Sequence, residues 1–376
     1  MDLRPLSELK QRVRYGAALP FHIRHPDGTL LLARGQLMRD EAQFDALVAR
    51  GAVIDDSEPQ AAARGAIAVH DAPVEQLPGM WVRCMSRVGH LLRESVQTNF
   101  IDALEEASRP VLALIQRDPD LAIFQMVQQV EGGKQNYGVS HSIHSAVACH
   151  LVADRLGWDA ADARRAFKAA LTMNMGMIEL QGRLANQVTP VTPTQRAAIR
   201  AHPQRSVEIL QAAGIADGDW LDAVAQHHEA PDGSGYPQGL REVGTLAMLL
   251  RHADVYTAML STRINRAALP ANHAARRLFL AGQSDPMVLA LVKEFGIYPP
   301  GSYVRLASGE VGIVVKRGEQ ANAPVVAALV DRRGDALMEP VRRSTATPEH
   351  AITDVIDEKT VRVRVSAEKL ALLARG

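Results

Sequence analysis

The chain has 376 residues, 47% hydrophobic and 22% charged, a globular profile without disorder bias and long enough for two or three domains. Lys and Arg number 42, as do Asp and Glu, so bulk charge gives no footing for a nucleic-acid polymer or an anionic membrane as partner. The two cysteines, Cys84 and Cys149, stand singly in apolar helical segments and read as small hydrophobes of a reducing compartment. With no signal-like N-terminal run and no apolar stretch near the ~18 residues of a membrane span, the expectation is a soluble cytoplasmic protein.

In chain order, residues 1–60 read as a small β-containing module. Phe21-His22-Ile23-Arg24-His25, a Pro26-Asp27-Gly28 turn and Leu30-Leu31-Leu32 suggest a hairpin. A short helix over roughly Asp40 to Ala49 and a strand-like Ala52-Val53-Ile54 follow. Residues 61–78 mix alanine, proline and acids without period, as a linker does. Residues 79–300 are then mostly helical: Val88, Leu91, Leu92 and Val96 share one face, as do Val111, Leu114 and Ile115. Helical patterning recurs over His141 to Asn174, Thr194 to Leu210, Trp220 to His228 and Thr245 to Leu260, an all-α bundle. After Pro299-Pro300-Gly301 the period becomes two. Tyr303 to Leu306, Val311 to Val315, Val325 to Val330 and Val361 to Val365 predict strands, so residues 301–376 are expected to form a small β-barrel-like module.

The chemistry concentrates in His227-His228-Glu229 and the turn Asp232-Gly233-Ser234-Gly235-Tyr236-Pro237. Paired imidazoles beside carboxylates are the usual material of transition-metal sites, and a turn rich in Gly and Pro makes a rigid ledge for a flat ligand. The chain has 13 histidines, and a lone one is ordinarily a hydrogen-bonded structural residue. His22, His25, His70, His90, His252, His273 and His350 are read that way. Asp254 lies on the apolar face made by Leu246, Leu249, Leu250, Ala253, Thr257 and Leu260, where an acid needs a cation or a donor.

This pattern resembles the signature of the HD-GYP domains, metal-dependent phosphodiesterases of bacterial cyclic di-GMP signalling, over roughly residues 130–300. The resemblance implies a mainly α, HD-type helical bundle core between the β-rich ends. It implies metal-ligand positions at His141, four residues after Tyr137; at His202 in Ala201-His202-Pro203; at His227 and His228; and at Asp254 in Ala253-Asp254-Val255-Tyr256. Gly235, Tyr236 and Pro237, with Arg263 and Arg266 further on, match the ligand-binding positions, and arginine's planar fork suits phosphate and guanine.

The family's defining segment, similar to Leu-His-Asp-Ile-Gly-Lys, aligns with Thr172-Met173-Asn174-Met175-Gly176-Met177, the register being fixed by Gly176. Met173, Asn174 and Met177 stand where the resemblance implies the histidine, the metal-bridging aspartate and the lysine. A thioether is too soft for iron, manganese or magnesium, and a neutral amide is a poor bridge for two dications ~3.5–4 Å apart. Two smaller departures are Ala230-Pro231 after Glu229 and Ile264-Asn265 between the arginines. The expectation is therefore a degenerate member without catalytic residues that senses a ligand or contacts a protein rather than turning over. Its cofactor is expected to be one divalent ion (zinc, iron or manganese) or none; its partners are cyclic di-GMP or a related nucleotide and a signalling protein, with no nucleic-acid polymer and no membrane. The alternatives are a weak metal-dependent phosphodiesterase using His202, His227 and His228, and a pure interaction scaffold.

Overall fold

The computed structural model describes residues 3–12, 19, 23–27, 30–32, 38–55, 69–93, 99–129, 137–261, 264, 268–282 and 285–375. Near the N-terminus four short strands, β1 (Leu3–Pro5), β2 (Ile23–Arg24), β3 (Leu30–Leu32) and β4 (Val53–Asp55), form an antiparallel sheet in the order β1-β4-β2-β3. β2 pairs with β3, as the hairpin reading expected, although Phe21, His22 and Gly28 lie outside the described residues. Helix α1 (Glu41–Ala49) starts where the Asp40 side chain accepts the Gln43 N–H at 2.8 Å, an N-cap bond. Ile23, Phe44, Leu47 and Ile54 close a small separate core.

The linker expectation needs correction at its C-terminal end. Residues 56–68 lie outside the description, but Val69, Val74 and Leu77 are buried in the main core and Leu77 opens helix α2 (Leu77–Arg93). Alanine and proline look linker-like in composition; these three apolar residues sit at a helix entry and are drawn into the bundle.

The bundle continues with α3 (Phe100–Arg117), α4 (Pro119–Gln128), α5 (Tyr137–Arg155), α6 (Ala160–Thr172), α7 (Ile178–Ala185), α8 (Pro193–Ala212), α9 (Gly218–Gln226), α10 (Thr245–Leu260), α11 (Ala271–Ala281) and α12 (Pro286–Phe295). α5 is the central rod: all but three of its 19 residues are buried, and it packs along α6, α10 and α12. Apolar residues run around its whole circumference, as a helix with no solvent face requires. Capping is explicit elsewhere. Thr192 and Gln195 form a reciprocal capping box at α8, and Asp159, Asp217 and Asp285 cap α6, α9 and α12.

After the bundle, β5 (Tyr303–Leu306), β6 (Val311–Lys316), β7 (Val325–Val330), β8 (Ala336–Ser344) and β9 (Ile352–Val355) make an antiparallel sheet ordered β8-β7-β6-β5-β9. β8 and β9 are its two edges, so this is an open sheet and not the expected barrel. The predicted strand at Val361 to Val365 is not one. That segment makes no ladder bonds and leads into α13 (Ala367–Arg375), whose Leu370 joins Phe124, Tyr303, Ile313 and Val361 in a core shared with α4. Alternating valines mark a segment with one buried side, which pairing partners alone convert into a strand. Arg317 fastens the sheet to the bundle by bonding Asp120 at 2.5 Å and the Glu294 carboxylate. No helix among the described residues is long and apolar enough to cross a membrane.

Candidate metal and ligand site

The centre of the site is made by two histidines whose tautomers are fixed by local backbone. Pro203 lies inside α8 and has no N–H, so the carbonyl of Ile199, four residues earlier, lacks its helical donor. The Nδ1 of His202 takes that carbonyl at 2.6 Å. His227 follows the last turn of α9, where terminal carbonyls are also left over, and its Nδ1 bonds Val224 O at 2.7 Å. Because each Nδ1 must carry the proton to meet a carbonyl, each Nε2 is a bare lone pair. Those two Nε2 atoms face each other at 3.1 Å.

Two lone pairs at that distance repel unless a cation lies between them. Ligand nitrogens on a tetrahedral zinc stand ~3.3 Å apart, so the spacing suits a shared metal ion. His228 joins them: ligand atoms of His202, His227 and His228 all lie within 4.8 Å of one another, and among the described residues they form the group with metal-holding geometry. Burial drives the imidazoles of His227 and His228 down to about 3 and that of His202 to about 4, so all three are neutral and able to donate near pH 7. The residues present fit one borderline dication.

His141 and Asp254, the other two implied ligands, bond each other instead. His141 Nε2 donates to Asp254 Oδ1 at 2.8 Å, its ring lies parallel to that of Tyr137 at 5.6 Å, and Thr257 Oγ1 is 3.4 Å from its Nδ1. Burial acts to raise the Asp254 carboxyl, but the hydrogen bond from His141 and the imidazoles around it outweigh that and hold the group well below the usual range. Gly138, one turn before His141, allows α5 to touch α7: a Cβ there would fall 2.4 Å from Ile178 O.

The segment from Met173 to Met177 is clamped onto α8 beside His202. The Gly176 N–H donates to Ser206 Oγ at 2.9 Å, and Ser206 donates to the Met173 carbonyl at 2.7 Å. A Cβ at Gly176 would lie 2.8 Å from His202 O, which is why glycine is needed there. Met173 is wholly buried. Asn174 is too, yet neither its Oδ1 nor its Nδ2 has a protein partner. An unpaired buried amide costs roughly 1–3 kcal/mol per group, so the position calls for water or a ligand atom.

The Gly-Tyr-Pro turn packs against the histidines. Tyr236 stacks on His228 at 4.6 Å and 21°, and the Arg200 guanidinium lies 5.3 Å over its ring. Gly235 is demanded by contact, since a Cβ would fall 2.4 Å from Ala230 N and 2.5 Å from Glu229 Cα. Pro237 follows Tyr236 through a cis peptide bond. Glu229 corrects the simplest reading of His-His-Glu. Its buried carboxylate turns from the imidazoles and accepts the N–H groups of Gln238, Gly239 and Leu240 at 2.7, 3.2 and 2.9 Å, tying the turn to the end of the histidine pair.

Sequence reasoning missed Glu229 in that role. It also missed Arg200 and Arg251, whose Nη1 bonds His228 O at 3.2 Å. Their positions gave the only clue: Arg200 is two residues before His202, and Arg251 is three before Asp254. Arg263 and Arg266 lie outside the described residues, although Ile264 between them bonds Ala185 O at 2.9 Å at the end of α7. Of the histidines read as structural, His252 bonds Asp285 at 2.7 Å and His25 meets Asp27 at 3.0 Å.

Comparison with known proteins bears on this arrangement. Residues 123–288 match the HD domain family, a span from α4 into α12 that includes every histidine of the site. A cyclic di-GMP phosphodiesterase of Pseudomonas aeruginosa is 31% identical over 223 residues, 57% of this chain and 51% of that protein. A 3'3'-cGAMP-specific phosphodiesterase of Vibrio cholerae is 27% identical over 183 residues, 47% of this chain and 39% of that one. The chain thus spans about half or less of the length of these curated relatives. Among solved structures, an HDG"Y"P protein from Bdellovibrio bacteriovorus aligns over 75% of this chain and 96% of its own, at 17% identity and a TM-score of 0.48. The HD domain match thus covers the part of the bundle that holds the paired histidines and the Gly-Tyr-Pro turn, and the relatives that this part resembles are named as cyclic-dinucleotide phosphodiesterases.

Proposed function

We propose that this protein serves a bacterial cyclic di-GMP network by binding, holding one divalent ion, of the zinc class, on His202, His227 and His228, with phosphodiester hydrolysis lost or severely weakened. The observation that carries this reading is a contrast within one site. Two bare Nε2 atoms face each other at 3.1 Å, while Asn174, which stands where the resemblance implies a bridging carboxylate, is neutral and its buried side chain has no protein partner. Three neutral imidazoles suit a borderline ion better than magnesium or manganese.

A bound dication would supply Lewis-acid polarisation of a phosphate oxygen. The chain's own residues do the rest. Ile199 O and Val224 O orient His202 and His227, Tyr236 offers a stacking face, and Arg200 and Arg251 place positive charge around it. Asn174 cannot neutralise a second cation, and Met177 brings no ammonium to a phosphate. Asp254 is engaged by His141. These features favour holding a cyclic dinucleotide, or a protein that reads the bound state, over cutting it.

The test is metal analysis combined with cyclic di-GMP turnover on wild type and on Met173→His/Asn174→Asp. Wild type is expected to hold one ion per chain and release neither linear dinucleotide nor GMP. The double variant is expected to gain a second ion and measurable turnover. Release of product by metal-loaded wild type overturns the reading. The facing imidazoles favour one second reading, a slow single-metal phosphodiesterase; it requires that His228→Ala abolish whatever activity wild type has.

A further inference from the structure

Between the residues that flank the Tyr236 turn, Pro231 on one end and residues 241–244 on the other, and the bundle lies a trough of about 920 Å³. Trp158, Ala223, Val243 and Leu246 line it. Trp158, Val243 and Leu246 rest on the main core with part of each side chain left uncovered, and Ala223 is buried beneath them. The exposed carboxylates of Asp219, Asp222 and Glu242 also line it, and none of the three makes an ion pair or a side-chain hydrogen bond among the described residues.

Two arginines also line the trough, and four acids, Asp162 among them, outnumber them. Arg165 is committed to Asp162 and, at 2.8 Å, to Asp217. Arg241 is a single cation lying against Gly233, its Nε 3.3 Å from where a Cβ would stand. The chain as a whole has equal numbers of acidic and basic residues, so the negative excess is local. An apolar floor beneath unpaired acids is a surface that attracts opposite charge and rewards apolar contact together.

We propose that this trough docks a basic, apolar-faced segment of a partner protein, with Lys or Arg of the partner on Asp219, Asp222 and Glu242 and an apolar side chain against Trp158. This gives a place and a chemistry to the protein-contact half of the reading above, on which it rests, and needs neither metal nor dinucleotide. An occupant would touch Pro231 and residues 241–244, the two ends of the Tyr236 turn, and Gln226, the residue before His227. Gln226 Oε1 already accepts the Gly244 N–H at 3.1 Å. The trough and the histidine site therefore share one segment of backbone, and a partner seated there contacts the segment that positions Tyr236.

The full chain is titrated with a synthetic amphipathic peptide carrying Lys and Arg on one face and Leu on the other. A counterpart with Gln in place of every Lys and Arg, and spermine, serve as controls. Trp81 and Trp220 are buried at 0% and 5% exposure, so a change in tryptophan emission reports Trp158. The expected result is saturable binding of the basic peptide with a shift in emission that Trp158→Phe removes. Binding weakens about tenfold in Asp219→Asn/Asp222→Asn/Glu242→Gln, and salt weakens the wild type more than the variant. The three acids are exposed, so circular dichroism should confirm an unaltered fold. Equal binding by the triple variant, equal binding of the Gln peptide, or the same response to spermine overturns the proposal; the last would make the trough a small-cation site. Metal binding and turnover are measured separately, so failure here leaves the fate of the histidine site distinct.

Discussion

Replacing Glu229 by alanine should loosen the Gly-Tyr-Pro turn without unfolding the bundle. The wild-type carboxylate is fully buried and accepts three consecutive backbone N–H groups at 2.7, 3.2 and 2.9 Å. Hydrogen bonds to a charged acceptor contribute ~1.5–3 kcal/mol each when desolvated. Here Gln238 is exposed and Gly239 and Leu240 are half-buried, so water can replace part of each bond and about 1 kcal/mol apiece is the better figure. The turn should then open about 3 kcal/mol more easily, roughly a hundredfold in the opening equilibrium. Amide hydrogen exchange reads this directly. The N–H groups of Gln238, Gly239 and Leu240 should exchange about a hundredfold faster, while amides of α5 keep their protection. Glu229→Gln, which retains one acceptor oxygen, should fall between. Unchanged exchange at those amides would refute the clamp; loss of protection throughout α5 would show that Glu229 supports the whole bundle.

Gly235→Ala is expected to damage the same turn for a different reason, because its Cβ would press on backbone at 2.4–2.6 Å; cyclic di-GMP binding by calorimetry should disappear while the helical circular dichroism remains. Zinc at about 100 times its Kd should stabilise the protein by ~2.7 kcal/mol, a rise in Tm of roughly 5–10 °C that His227→Ala abolishes. Acid should destabilise the metal-free protein before most carboxylates titrate. Burial holds His144, His202 and His227 in the range of about 3 to 4 when folded, whereas they titrate near 6.5 when unfolded. Their contribution is complete above about pH 6.5 and is lost as pH falls from there towards 4, by up to ~1.4 kcal/mol per pH unit for each histidine. Asp254 acts in the same sense only below its unfolded range. A Tm that stays flat between pH 7 and 4.5 refutes the neutral-imidazole reading.

The amino-acid sequence by itself determined the helical bundle, because apolar residues at three and four can be buried only by helices, and α10 falls where its periodicity placed it. It also carried the order of the histidines and the importance of Gly176 and Gly235, whose lack of a Cβ has no substitute where backbone meets backbone. Tertiary structure decided the rest. Whether Val361 to Val365 became a strand depended on a partner that β5 gave to β9 instead. Glu229 stood beside two histidines in sequence, yet an Asp or Glu side chain can turn to whichever donors are unmet, and three backbone N–H groups were. His141 and Asp254 are 113 residues apart, and nothing local indicates that they bond each other. Proline in His202-Pro203 gave the reason for one orphan carbonyl, but only the fold of α8 against the end of α9 brought two bare nitrogens face to face. Covalent geometry and periodicity are written locally. Which lone pair meets which charge is settled by chain segments that meet only after the core has closed.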